Sequence, residues 1–437
     1  MHSLGVVESS VLPGDTSSAV VHVPDTDRSD TPARSDDRAS LDRLRAARGR
    51  GLLDALVAAT PAQLSAADQD SRVVATAMDE PPSAAVVAAW WSGLDGRTQT
   101  RLARTAPVVV GCLDGVPVAV RDHANRTVLA AGLADPRTDA SQRAMLGQVR
   151  DALHRAPGAP PKSLVTLDTR GAGRAAIAIG DLTTAADVTV LVPGMFFTVT
   201  GQMDDFIATA GDLYDEQATL APVAAPASGT GVAVLAWLGY RTPDLSNVLS
   251  LGLADTGASR LERTVEGIRT LRDGDQPRLG IVAHSYGSTT ALMALASGRM
   301  SADSLTVLGS PGSDVRRASE LSVAAGQVYV GGAHLDPVAG SGYFGTDPAA
   351  SSFGATVLDL AGGTVARADG DVFRRPVGHN DYLKPGTASL HDVALIAVGR
   401  GDLVRDALHH HGGDDGGDVQ PSLDLYLVRP QDLQPRD

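Results

Sequence analysis

Arg278–Leu279–Gly280–Ile281–Val282–Ala283–His284–Ser285 runs directly into Tyr286–Gly287–Ser288–Thr289–Thr290–Ala291–Leu292–Met293. The first half is a short apolar run of the kind that forms a strand buried on both faces. The second half reads as a helix. A strand that gives way to a helix at a single serine leaves that serine on a sharp turn, the strand–turn–helix setting of a nucleophile elbow. Such a turn holds the serine in a strained conformation with its Oγ exposed. Small residues two places before and after relieve the crowding, and Ala283 and Gly287 stand there. The usual pattern has glycine at the first of these positions, so Ala283 is a departure, although a methyl group is tolerable there. The plain alternative is a short Ser-Gly turn without chemistry.

Working outward, apolar strands alternate with helical patterns. DVTVLVPG (187–194) precedes a helix through Met203, Phe206 and Ile207, and GVAVLAWLGY (231–240) precedes one around Leu261, Val265, Ile268 and Leu271. DSLTVLGS (303–310), QVYVGGA (327–333) and ATVLDL (355–360) continue the series. Buried strands joined by helical crossovers predict an α/β fold, a mostly parallel sheet with helices on both faces, between about 187 and 360. SLVTLDTR and RAAIAIG, just upstream, read as a hairpin turning at Gly171 and Gly173. A last helix is expected over Val393 to Val404.

The run Pro157–Gly158–Ala159–Pro160–Pro161 separates this region, 162–407, from a helical N-terminal region over 39–157. There Leu41, Leu44, Leu52, Leu53 and Leu56 fall near one helical face. Ser83 and Asp139 are candidate caps, and Pro117 is a candidate first-turn residue. Residues 1–38, rich in Ser, Asp, Thr and Pro, read as a disordered arm, and 408–437 as a flexible tail.

The chain has 437 residues, 43% of them hydrophobic and 20% charged, with a mean hydropathy of −0.01. That is enough apolar material for a sizeable core, with no apolar stretch long enough for a membrane span. The formal net charge is −14, which repels phosphate backbones and argues against nucleic acid as a partner. Of the 37 basic residues only Lys162 and Lys384 are lysine, a GC-rich codon signature rather than arginine chemistry. Cys112, the single cysteine, excludes an intrachain disulfide and a cysteine metal site and reads as a small buried residue. No cofactor or metal is called for. MHSLGVVESSVLPGD lacks the basic and apolar regions of a secretory signal, so the cytoplasm is the expected location, with leaderless export left open.

A serine nucleophile needs a base, and in this architecture the chain order is serine, acid, histidine. Asp336, in His334–Leu335–Asp336–Pro337 just past QVYVGGA, is the preferred acid, with Asp314 after the preceding strand as runner-up. His379, in the loop Gly378–His379–Asn380–Asp381–Tyr382, is the preferred base. Among its rivals, His334 precedes the acid, His391 reads as a surface or capping residue, and His409–His411 as a solvated cluster. His284 is taken to pack under the sheet. The oxyanion donors are expected to be the backbone N–H of Tyr286 and, from the loop after VTVLVPG, that of Met195, with Phe196 second. Met195, Phe196 and Phe197 are equally readable as an acyl pocket or as core. Trp91–Ser92–Gly93 matches the W-x-G turn of helical hairpin proteins exported by type VII systems. Two Tyr-x-x-x-Asp spacings, Tyr240–Asp244 and Tyr343–Asp347, are treated as chance.

Several blocks together carry a resemblance: WWSGL (90–94), LDGVPVAVRDHANR (113–126), GRAAIAIGDLTTAADVTVLVPG (173–194), VLAWLGY (234–240), IVAHSYGS (281–288), GAHLDPV (332–338) and GHNDYL (378–383). Over about 90–405 the chain resembles an actinobacterial α/β-hydrolase family of largely unassigned function. That resemblance implies an α/β-hydrolase fold behind a helical extension, and the catalytic set Ser285, Asp336 and His379. Ala283 departs from the family's common glycine. The implied activity is a serine hydrolase cleaving a carboxylic ester of a small-molecule or lipid-like substrate. A peptidase or amidase with the same residues is the alternative. A different class, a silent scaffold recruiting a protein partner through its helical region, has no use for all three residues.

Overall fold

A computed structural model describes residues 32–221, 231–244, 246–364 and 372–407. Of the arm expected over 1–38, residues 1–31 lie outside these residues, as do the tail expected over 408–437 and His409–His411. Among the described residues nine helices come first: α1 (Pro32–Ala46), α2 (Arg50–Ala58), α3 (Pro61–Asp68), α4 (Ser71–Asp79), α5 (Ala84–Ser92), α6 (Gly96–Thr105), α7 (Pro107–Cys112), α8 (Val118–Ala134) and α9 (Ala140–Ala152). The expected arm therefore ends earlier than 38, since α1 starts at Pro32. The leucines read as one face belong to two helices, broken at Gly49 with φ of 54°. Asp139 caps α9 through the Gln142 N–H. Ser83 precedes α5 without a side-chain cap bond, and Pro117 stands one residue ahead of α8 rather than in its first turn.

The remaining elements are β1 (Lys162–Asp168), β2 (Arg174–Ile179), β3 (Asp187–Val192), α10 (Val199–Leu220), β4 (Val232–Leu238), α11 (Gly252–Leu271), β5 (Arg278–His284), α12 (Tyr286–Ala296), β6 (Ser304–Leu308), β7 (Val328–Gly331), β8 (Thr356–Val357), β9 (Gly363–Thr364), β10 (Val372–Phe373) and α13 (Ala388–Ala397). Eight strands form one sheet in the order β1-β2-β4-β3-β5-β6-β7-β8. β1, β2 and β4 pair antiparallel, and every pairing from β4 through β8 is parallel. Alternate residues along the central strands serve opposite faces. Val188, Val190, Leu235 and Ile281 pack with Leu261 and Val265 of α11 and Leu292 of α12. Leu191, Val234, Ala236 and Val282 pack with Met203 and Phe206 of α10 and Val393 of α13. ATVLDL contributes only two strand residues. The expected last helix instead spans 388–397, ended by Gly399 in a left-handed turn.

The N-terminal helices bury a core of their own, with Leu52, Leu53, Leu56, Trp90, Trp91, Leu102 and Val110 inside. Trp91 is thus a core residue, and Gly93 ends α5 by donating its N–H to Ala89 and Trp90 carbonyls. α8 covers the edge strand β1. Asn125 donates to the Leu164 carbonyl at 2.9 Å, and the Leu164 N–H donates to Asp122 at 2.6 Å, so the edge is capped by side chains. Farther along, Asp79 at the end of α4 accepts from Arg170 and Arg174 of the hairpin and from Arg260 of α11. The half-buried Cys112 faces the Leu167 carbonyl, and burial pushes its thiol up to about 12. No helix among the described residues is long and apolar enough to cross a membrane.

Candidate active site

The sheet order explains where a site forms. After β3 the chain moves to one side, to β4, then returns to the other side of β3 as β5. At such a reversal the loops leaving the carboxyl ends of the two strands separate and open a crevice. The loop after β3 carries Pro193–Gly194–Met195, and β5 ends in Ser285.

Ser285 adopts φ 56° and ψ −132°, a left-handed backbone that is costly for a residue with a Cβ. Its N–H is held by the Leu308 carbonyl at 2.9 Å. The flanking small residues are explained by contact. A Cβ on Gly287 would lie 2.4 Å from the Pro193 carbonyl oxygen, and Ala283 is wholly buried. Gly194 is needed for close approach rather than for a sharp turn. It has no left-handed φ, and a Cβ there would sit 2.6 Å from Ser285 Cβ and 3.1 Å from its Oγ. The same packing leaves Ser285 only 3% exposed, more covered than the motif alone suggests.

The structure brings Ser285, His379 and Asp336 together. Ser285 Oγ is 2.8 Å from His379 Nε2, and His379 Nδ1 is 2.9 Å from Asp336 Oδ1. Asp336 also accepts from Tyr382 Oη at 2.5 Å, from the Val338 N–H at 2.8 Å and from the Ala339 N–H at 3.3 Å. Burial raises the Asp336 carboxyl, but the charge of His379 and these hydrogen bonds outweigh it and hold the group down at about 2. An ionised carboxylate only accepts, so His379 Nδ1 carries the proton and its Nε2 lone pair faces the serine hydroxyl. Asp314 is exposed, away from this chain of bonds.

Two participants escaped the sequence reading. His284 does more than pack beneath the sheet. Its Nε2 donates to the His379 carbonyl at 2.7 Å, and its ring lies 4.6 Å from the His379 ring. Burial, then repulsion from His379, drives its pKa down to about 3, so it stays neutral beside the Ser285–His379–Asp336 chain of bonds. Tyr382, almost wholly buried, accepts the Ala333 N–H at 2.7 Å while donating to Asp336. Neither the apolar run ending at His284 nor the polar loop around Tyr382 carried a signal for these bonds. His391 is not a surface residue; it is buried in α13, paired with Glu216 at 2.7 Å and stacked on Phe373.

Tyr286 opens α12, so its N–H is one of the unpaired donors at a helix start. The Phe196 N–H donates to the Pro243 carbonyl at 3.0 Å, and Met195 stands between Phe196 and Gly194. Of the three apolar side chains in that loop, Phe197 packs edge-on against Phe206 and lines a cavity of about 150 Å³ with Leu191, His284 and Tyr382. Among the described residues no cluster of three or more His, Cys, Asp or Glu could hold a metal ion.

A family model described as alpha/beta hydrolase matches residues 168–346. An uncharacterized protein of Mycobacterium tuberculosis is 31% identical over 375 residues, covering 72% of this chain and 55% of that protein. The chain thus spans little more than half the length of that relative. An uncharacterized protein of Mycobacterium bovis is 32% identical over 231 residues, covering 52% of this chain and 84% of its own length. Among solved structures, a dienelactone hydrolase from Anabaena variabilis has a TM-score of 0.33 at 16% identity, over 55% of this chain and 95% of that chain. That structural likeness is too slight to carry an argument. The matched model and the mycobacterial relative covered over most of its length are decisive: the chain belongs to the α/β-hydrolase family.

Proposed function

We propose that the protein is a serine hydrolase that cleaves a carboxylic ester of a small-molecule or lipid-like substrate through an acyl-enzyme on Ser285. The observation that carries this reading is the unbroken bond chain from Ser285 Oγ through His379 to Asp336, 2.8 and 2.9 Å, built on a left-handed serine. Ser285 Oγ attacks the acyl carbon while its proton passes to His379 Nε2. The oxyanion is received by the N–H groups of Tyr286 and Met195. Collapse expels the alcohol, which takes the proton from His379. Water then attacks the acyl-enzyme, again through His379, and releases the acid and Ser285. Asp336 stays ionised throughout, holding the imidazole tautomer and stabilising the imidazolium.

The test is labelling with a fluorophosphonate probe, followed by hydrolysis of a panel of acyl esters. Wild type is expected to label at Ser285. Ser285→Ala should not label, and His379→Ala should lose most turnover. The double variant should lose little more than either, because the residues act as a unit. Folded wild-type protein that neither labels nor hydrolyses any ester would overturn the reading.

A further inference from the structure

Three non-glycine residues among those described have left-handed backbones: Phe196 at φ 65°, Ser285 at 56° and Leu335 at 59°. One is the proposed nucleophile. The other two stand in the loops that serve it, Phe196 directly after Met195 and Leu335 directly before Asp336. Glycine enters this conformation freely and asparagine at modest cost, whereas a bulky apolar residue is poorly suited to it. A side chain at either position is therefore kept against the preference of the backbone.

For Leu335 the fold offers no reason to keep it. The residue is 73% exposed, so its side chain adds little to the core. Its loop is nevertheless well held. His334 forms a bridge with Val377, and the Gly378 N–H donates to the His334 carbonyl at 2.7 Å. Val377, paired with His334 across this bridge and one residue ahead of the His379 loop's glycine, is also about half exposed. On the other loop, Phe196 is half-buried and pinned through its N–H to Pro243, and the Phe197 carbonyl accepts from Thr242 Oγ1 at 2.6 Å. Backbone strain of this kind clusters at active sites and ligand clamps, where it is part of the mechanism.

We propose that Phe196 and Leu335, together with Val377, form an apolar rim around Ser285 that binds the hydrocarbon chain of a medium- or long-chain acyl ester. The inference rests on the serine-hydrolase reading and narrows its substrate class. The chain gains by leaving water for this rim, while a short acyl group does not reach it.

The experiment compares kcat/KM for p-nitrophenyl octanoate and p-nitrophenyl acetate in wild type, Leu335→Gly and Leu335→Asn, with Tm measured alongside. Wild type is expected to favour octanoate. Each variant should lower the octanoate-to-acetate ratio about tenfold, with Tm equal to or above wild type because the backbone strain is relieved. Taking the ratio cancels any loss common to both esters. Phe196→Gly should lower the same ratio. An unchanged ratio in both Leu335 variants, or a lower Tm in both, overturns the inference. If wild type labels at Ser285 and cleaves both esters without preferring octanoate, the inference falls and the serine-hydrolase reading stands. If wild type neither labels nor cleaves either ester, both fall.

Discussion

The Asp336 carboxylate has both oxygens engaged, and the Tyr382 hydroxyl is its partner on Oδ2, at 2.5 Å. That hydroxyl is also the acceptor for the Ala333 N–H, two residues past β7, so one group ties the acid to the loop leaving the sheet. In Tyr382→Phe, Oδ2 loses a hydrogen bond that favours the ionised form. The carboxylate becomes more basic and stabilises the His379 imidazolium more strongly. The lost bond also leaves the carboxylate free to turn away from His379, so turnover should fall about tenfold, consistent with one hydrogen bond to a charged group, while the acidic limb of the activity profile should move to higher pH. Steady-state kinetics across pH checks this, and a loss of Tm with an unmoved limb would mark Tyr382 as purely structural. The sequence pointed to Ser285, Asp336 and His379 because motif and chain order constrain them. It assigned Tyr382 no role and His284 only a packing one, because their bonds join residues 46 and 95 positions apart and follow no spacing rule.

At the scale of elements, the loop after β3 is decisive. Its Gly194 backbone lies on Ser285, so Gly194→Val must push the loop off the serine and move the Met195 N–H with it. Loss of one oxyanion donor typically costs about 10²–10³ in rate. The expected result is a drop of that size in kcat with Ser285 still present, checked by ester turnover on protein whose circular dichroism is unchanged. The central strands were legible because β3, β4 and β6 are buried along their whole length and read as continuous apolar runs. β8 was overread: it is an edge strand paired only to β7, and both its residues are half-buried. The leucine stripe near the start concealed a break because periodicity alone does not register a left-handed glycine such as Gly49.

For the molecule as a whole, two cores must stay folded together, and one ionisable group lies inside the helical one. Asp68 is buried at the end of α3, and its Oδ1 accepts the Val109 N–H at 3.0 Å. Burial raises its carboxyl to about 6, against hydrogen bonds from Val109 and Val108 that lower it. A carboxyl raised on folding binds its proton more tightly in the folded state. The stability it contributes is therefore full below about pH 4 and is lost as pH rises through about 6. Asp68→Asn keeps an oxygen for the Val109 N–H and cannot ionise. Urea unfolding should show the variant about 2 kcal/mol more stable than wild type at pH 8 and equal to it at pH 4.

The order of the bond chain also sets a schedule for synthesis. Ser285 is translated 94 residues ahead of the histidine that faces it. At roughly 5–20 residues per second, the elbow on β5 exists for roughly 5–20 s with no base opposite it. β3, β4 and β5 can pair during that interval, since all three precede Ser285 in the chain. The nascent protein thus holds its nucleophile before its base, and the last of the three residues to arrive is the one that arms the serine.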